Sequence, residues 1–391
     1  MKLIKHFRLV LSTSTLIFIC FANLSLLHAN EVASTLNFEK ISALLLERMD
    51  LKKDEKVLLL IKPGRFDKLI HLLEDGIKNK NAEYLGTVSV TDQQPKEWKT
   101  RFTKGLEGLD TPALKEYLKT VDLGVMLPGP TPGDLVYKLI QDNLRDEIGR
   151  TIHFHWAGAY NLDGSLREID GFVDAAYQES LLSTDYEALA RAQRDLEAAM
   201  RNETIRVTSP AGTDISFSIG DRPVTKQNGD ASKANTDQGR NLIDREIELP
   251  AGAIRVAPIE ETVNGVIVFP DGQWNGEAVK GLTLTFEQGV AESIEASEGV
   301  EHALAEIDAA GKAGRSFREL ALGLNPTMAI PQQQPWIPYY GYGAGVVRLS
   351  LGDNTELGGK VDGGYVRWNF FVDTSLKIGD EWWIKDGKLV R

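Results

Sequence analysis

The run KVLLLIK at residues 56–62, closed by Pro63-Gly64, decides the fold. Val57 to Ile61 are consecutive apolar residues in a segment too short for a helix, and they end at a turn pair. That pattern reads as a strand buried on both faces. Working outward, residues 66–79 place Leu69, Leu72, Leu73 and Ile77 at helical spacing, and residues 82–90 read as a second strand. Residues 121–127 (VDLGVML) repeat the strand signal before Pro128-Gly129-Pro130. Residues 134–144 are helical and residues 150–156 form another strand. Strands alternating with helices require a parallel sheet with helices on both faces. The fold class expected is therefore α/β, with a parallel-sheet domain over residues 30–182.

A second grammar begins further on. Thr184-x-x-Glu187 is a capping box that opens a linking helix, residues 183–202, with Leu189, Leu196 and Met200 on one side. From 203 to 391 short β-like runs follow at 204–208, 215–219, 263–269, 282–286, 346–351 and 366–372, separated by turns such as Pro270-Asp271-Gly272. A helix near 300–310 and a helical piece near 315–322 interrupt them. This domain is expected to be mainly β, a curled sheet or a barrel. Residues 227–239 are polar and read as a mobile loop.

The chain has 391 residues, 42% of them apolar and 26% charged, a globular composition that excludes disorder as the main state. Its net charge of −12 gives no electrostatic footprint for nucleic acid. The single cysteine, Cys20, excludes a disulfide scaffold and a cysteine metal site. Lys2, Lys5 and Arg8 precede an apolar stretch at residues 9–27 and then His28-Ala29-Asn30. A positive start, an apolar core and a small residue at the exit read as a signal peptide over residues 1–29, so the protein is expected to be exported, periplasmic or extracellular. Cleavage removes three cations and no acid, which takes the charge from −12 to −15. An uncleaved anchor helix is the alternative.

No GxxxxGK, GxSxG or HExxH motif is present, which removes three common catalytic readings. His153 and His155 are two apart on an expected strand, share a face and could hold one metal, or could simply be hydrogen-bonded at a strand end. Glu260-Glu261 and Glu246-x-Glu248 are carboxylate clusters of the kind that is usually solvated surface. Residues 335–345 (PWIPYYGYGAG) are the most aromatic stretch. They suit a pocket wall, with Tyr339, Tyr340 and Tyr342 as its candidates, or a loop packed on the β-domain.

An ordered set of motifs between about 205 and 372 carries a resemblance. It comprises Gly212-Thr213-Asp214-Ile215, Leu249-Pro250-Ala251-Gly252 with Val256-Ala257-Pro258, Val263-Asn264-Gly265, and Glu319-Leu320-Ala321-Leu322-Gly323-Leu324-Asn325-Pro326. It closes with residues 351–359 (LGDNTELGG) and Arg367-Trp368-Asn369. These resemble the aminopeptidase T family of metallopeptidases and its relatives, the 2,5-dihydroxypyridine dioxygenases. The resemblance implies two divalent metals such as zinc, held by two glutamates, two histidines and an aspartate, and removal of N-terminal residues from peptides. It also implies a possible homodimer.

Carried over residue by residue, the metal ligand Glu319 is kept. The other positions hold Ala253, Arg348, Arg367 and Asn369, and arginine cannot ligate a cation. The expectation is therefore that no metal cofactor is bound and that Arg348 and Arg367 fill the metal space and pair with Glu319. With Asn369 they would bind a small carboxylate or a peptide, without hydrolysis. The alternatives are an active leucyl-type aminopeptidase with an atypical metal site, and dioxygenase-like chemistry on a small aromatic acid.

Overall fold

Twelve-residue helix α1 (Phe38–Met49) opens the computed structural model, which describes residues 36–391. The signal segment read at residues 1–29 lies outside the described residues. Among the described residues no helix is long and apolar enough to cross a membrane.

The first half is β1 (Lys56–Ile61), α2 (Lys68–Asn79), β2 (Glu83–Ser89), α3 (Arg101–Gly105), α4 (Thr111–Leu118), β3 (Leu123–Met126), α5 (Leu135–Arg145) and β4 (Arg150–His153). Strand β1 behaves as its sequence demands. Val57, Leu59 and Ile61 enter the main core, while Leu58 and Leu60 enter a second core on the other face of the sheet. Alternation along a strand buried on both sides feeds two cores at once. Helices α6 (Gly171–Ser183) and α7 (Tyr186–Met200) follow. The capping box expected at Thr184 is displaced. Asp185 caps α7 by accepting from the Ala188 N–H at 2.8 Å, while Thr184 ends α6 and its hydroxyl donates to the Ser180 carbonyl at 2.6 Å.

The second half is β5 (Ile205–Thr208), β6 (Asp214–Phe217), β7 (Val224–Lys226), α8 (Lys233–Thr236), β8 (Glu246–Glu248), β9 (Ala253–Val256), β10 (Asn264–Val268), β11 (Gly272–Trp274), β12 (Glu277–Val279), β13 (Thr283–Glu287) and β14 (Val290–Glu295). Then come α9 (Val300–Ala309), α10 (Gly311–Gly314), β15 (Phe317–Gly323), β16 (Val347–Gly352), β17 (Val366–Arg367), β18 (Phe370–Phe371), β19 (Ser375–Ile378), β20 (Glu381–Lys385) and β21 (Lys388–Leu389). The first sheet, all parallel, has the order β2-β1-β3-β4-β8, so its last strand comes from the second half of the chain. The second half otherwise forms antiparallel sheets: β14-β13-β10-β6-β5-β19-β20-β21, β17-β16-β15-β9-β7 with β18 also on β16, and the hairpin β11-β12. The curled-sheet expectation holds, and none of these sheets closes into a barrel.

Two local expectations are corrected. The helical piece near 315–322 is strand β15, at the centre of its sheet, with every residue buried. A strand covered on both faces loses its alternation, so its short apolar run cannot be told from a helix by periodicity. The polar segment 227–239 packs rather than projects. Gln227 is fully buried; its Nε2 donates to the Glu246 carbonyl and its Oε1 accepts from the Glu248 N–H, both at 2.8 Å. The Ala231 carbonyl accepts from Arg150 Nε at 2.7 Å.

Candidate functional site

Strands β3, β4 and β8 run parallel, and a cavity of about 360 Å³ lies beyond their carboxyl ends. Open parallel sheets bind ligands there, because the loops leaving the strands can splay apart. The turn after β3 (Gly129 to Pro132) and the end of β4 (His153, His155, Trp156) form one side. Strand β8 adds Glu246 and Glu248, two apart and so on one face. The opposite side comes from the six-stranded antiparallel sheet.

Register dictates what that sheet presents. Ala321 pairs with both Arg255 and Arg348, Glu319 with Ser350, and Gly323 with Ala253. Residues directly opposite share a face, so Ala253, Arg255, Glu319, Arg348 and Ser350 all point the same way. Glu319 is completely buried, Arg318 is 1% exposed, Arg348 2% and Arg255 4%. Arg255 donates from Nε and Nη2 to Glu319 Oε2 at 3.1 and 3.0 Å, and from Nη2 to Glu356 Oε1 at 3.2 Å. Arg348 Nη2 lies 3.0 Å from Glu319 Oε1, and its Nη1 donates to the Tyr340 carbonyl at 3.1 Å. Arg318 pairs with Glu356, and its Nε is 3.9 Å from Glu319. Burial alone would push the Glu319 carboxyl up. Arg255 first, then Arg348 and Arg318, outweigh it and hold the group far below the ordinary carboxylate range.

Glu319 and Arg348 thus meet as expected, but Arg367 does not join them. Arg367 and Leu351 are opposite, and the antiparallel register carries Trp368 to the Arg348 face while Arg367 and Asn369 take the reverse. Arg367 Nη1 donates to Glu306 at 2.7 Å, its Nη2 donates to the Gln273 carbonyl at 2.7 Å, and its guanidinium lies 3.5 Å from the centre of the Trp274 ring. Asn369 Oδ1 accepts from Arg367 Nε at 3.2 Å, and its Nδ2 donates to the Leu349 carbonyl. Both line a separate cavity of about 610 Å³. Trp368 borders both cavities, and the Arg348 guanidinium sits 4.8 Å from its ring centre. The cation that balances Glu319 in place of Arg367 is Arg255. It stands two residues after Ala253, in the gap between Leu249–Gly252 and Val256–Pro258, so strand alternation was the signal that could have found it.

The histidines do reach this site. His153 Nδ1 is 3.2 Å from the Tyr137 hydroxyl and its Nε2 is 3.0 Å from the Thr151 hydroxyl, so both ring nitrogens are engaged. Burial, and then the neighbouring His155, push His153 well down, and burial pushes His155 down to about 4. Both are neutral at neutral pH. Glu246-x-Glu248, expected to be solvated, is instead part of the cavity. Gln141 Nε2 donates to Glu246 Oε1 at 2.7 Å, and burial raises the Glu246 carboxyl to about 8. Burial also raises Glu248, against the pull of Arg255.

The aromatic stretch is both packed loop and pocket wall. The Tyr339 hydroxyl donates to the Leu249 carbonyl at 3.0 Å inside the core, while Tyr340 and Tyr342 face the cavity. Tyr339 and Tyr340 have positive φ, a costly conformation for bulky residues that clusters at binding sites.

The two-metal centre implied by the resemblance does not fit these residues. Guanidinium groups occupy the space around Glu319, Ala253 offers no donor, and both His153 nitrogens are taken. Among the described residues no group of three or more His, Cys, Asp or Glu converges on a point.

A family model described as NicX, 2,5-dihydroxypyridine 5,6-dioxygenase, matches residues 164–307, ending before Glu319 and Arg348. Two solved structures share the fold. One is 2,5-dihydroxypyridine dioxygenase from Pseudomonas putida KT2440, with 16% identity and a TM-score of 0.60 over 91% of this chain and 98% of that one. The other is wild-type AmpT from Thermus thermophilus, with 15% identity and a TM-score of 0.57 over 90% and 99%. No curated protein matches the sequence significantly. The resemblance to this pair of families, read from the motifs, is borne out; at these identities the structural likeness speaks for fold.

Proposed function

We propose that the protein binds a small carboxylate-bearing molecule in the cavity between β4, β8 and the six-stranded antiparallel sheet, using Arg348 and Arg255, without metal-dependent hydrolysis. One observation carries the reading. Arg348 is 2% exposed and lines the cavity, yet among the described residues neither its Nε nor its Nη2 has a hydrogen-bond partner of good geometry. Leaving buried donors unmade is costly, and a carboxylate satisfies two guanidinium N–H groups at once. The balance of charge agrees. Arg255, Arg318 and Arg348 face Glu319 and Glu356, so this cluster carries one positive charge in excess before the carboxyls of β8 are counted. Tyr340, Tyr342 and Trp368 supply apolar walls for the rest of the ligand.

The test is calorimetric titration of the protein with 3-phenylpropionate, a carboxylate with an apolar body. Saturable binding is expected, and Arg348→Gln should weaken it roughly 10- to 100-fold, the worth of a charge-assisted hydrogen bond. Binding unaffected by Arg348→Gln overturns the proposal. Hydrolysis of leucyl-p-nitroanilide is expected to be absent with or without added zinc; activity abolished by a chelator favours the aminopeptidase reading instead. The family-model match over residues 164–307 favours a second reading, chemistry on a ring-bearing acid such as a hydroxylated pyridine. Ring cleavage that disappears in Arg348→Gln would favour it over binding alone. Export, read from residues 1–29, belongs to the proposal and is checked by fractionating the cell.

A further inference from the structure

The cavity has a second unsatisfied group, and it is of the opposite kind. Among the described residues Glu248 Oε2 is buried without a hydrogen-bond partner, and Glu248 lines the same cavity as Arg348. The two groups come from different sheets: Glu248 ends the parallel sheet, and Arg348 lies in β16 of the antiparallel one. Gln227 clamps the backbone of β8 on either side of Ile247, which fixes the main chain from which the Glu248 side chain enters the cavity. Its neighbour Glu246 already accepts from Gln141 and Tyr342 donates to the Glu248 carboxylate, which leaves Glu248 Oε2 as the acidic oxygen still without a donor.

From this pairing we infer that the ligand is a zwitterion of the amino-acid class, its carboxylate on Arg348 and its ammonium on Glu248. The inference rests on the carboxylate reading above and adds the second pole. Counting Glu248 as ionised, the three guanidiniums face three carboxylates, and the cavity is neutral while offering a ligand both a guanidinium and a carboxylate oxygen. A neutral molecule with separated charges matches such a site better than a simple anion does, because each pole meets its complement and neither leaves a buried charge unpaired. The tyrosine and tryptophan walls then take the side chain, and a cavity of about 360 Å³ is of small-ligand size.

The experiment compares three probes that share one ring and spacing: 3-phenylpropionate, L-phenylalanine and phenethylamine, each titrated calorimetrically into the full chain at neutral pH. Phenylalanine is expected to bind at least about tenfold tighter than 3-phenylpropionate, with phenethylamine weakest of the three. Glu248→Gln should remove the advantage of phenylalanine over 3-phenylpropionate. Equal affinity of the wild-type protein for phenylalanine and 3-phenylpropionate overturns the inference while leaving the carboxylate reading standing. Failure of both to bind overturns the two together. The wild-type comparison decides the matter even if Glu248→Gln does not fold.

Discussion

Replacing Glu319 with glutamine is expected to cost about 3–5 kcal/mol of stability, the range found when one partner of a buried ion pair is removed. The carboxylate is completely buried, receives two hydrogen bonds from Arg255, and lies 3.0 Å from Arg348 Nη2. Glutamine keeps the shape but strands the positive charge of three buried guanidiniums, with only Glu356 left among them. Urea unfolding followed by tryptophan fluorescence checks this. A loss below about 1 kcal/mol would show that water, rather than Glu319, screens the arginines. The pH dependence has a definite sign. Because the folded pKa lies below the ordinary 4.5, the contribution of Glu319 is complete above that value and is lost as pH falls toward the folded pKa. Glu246 acts in the other direction. Its carboxyl is raised to about 8, so stability declines as pH rises from 4.5 to about 8, and Glu246→Gln should flatten that limb.

The second large effect is expected at Gly323. This residue ends β15 opposite Ala253, and the loop that carries Tyr340 and Tyr342 passes directly over it. A Cβ placed there falls inside the carbonyl oxygens of Gly343 and Gly341, which are backbone atoms and cannot rotate away. The loop is also tied down, since Gly323 N–H donates to the Val346 carbonyl at 2.9 Å and Gly345 N–H to the Gly323 carbonyl at 3.1 Å. Gly323→Ala is expected to destabilise by about 3 kcal/mol, the upper part of the overpacking range, and to weaken 3-phenylpropionate binding by shifting both tyrosines. A change in the urea midpoint equivalent to less than about 0.5 kcal/mol would mean that the loop is free to lift.

Four strands of the parallel sheet were legible, β1 and β3 because they are apolar runs with turn residues at their ends, and β2 and β4 from their alternation with helices, whereas the fifth, β8, was not read as a strand. In the antiparallel half β5, β6, β10, β13, β16 and the β17–β18 run were legible, but β7, β9, β11, β12, β14 and β19 to β21 were not read, and burial on both faces erased the alternation of β15. At the site, residue type and position were legible for Glu319 and Arg348, but facing was not. Arg367 and Asn369 lie one residue either side of Trp368, and strand parity sends them to another cavity. A shift of one residue reverses a strand's faces, and no composition signal fixes that shift before the pairing partner is known. Glu246 and Glu248 were hidden for a different reason. An acidic pair two residues apart looks solvated unless it is known to lie in a sheet whose next strand is β4.

The placement of β8 also orders the chain's assembly in time. On a ribosome, β1 to β4 emerge first and can collapse onto their helices, but the outer edge of β4 stays open until α6, α7 and β5 to β7 have been made. Until then the growing chain presents unpaired backbone groups beside the half-built floor of the cavity. The ligand site is therefore among the last features of the molecule to be completed.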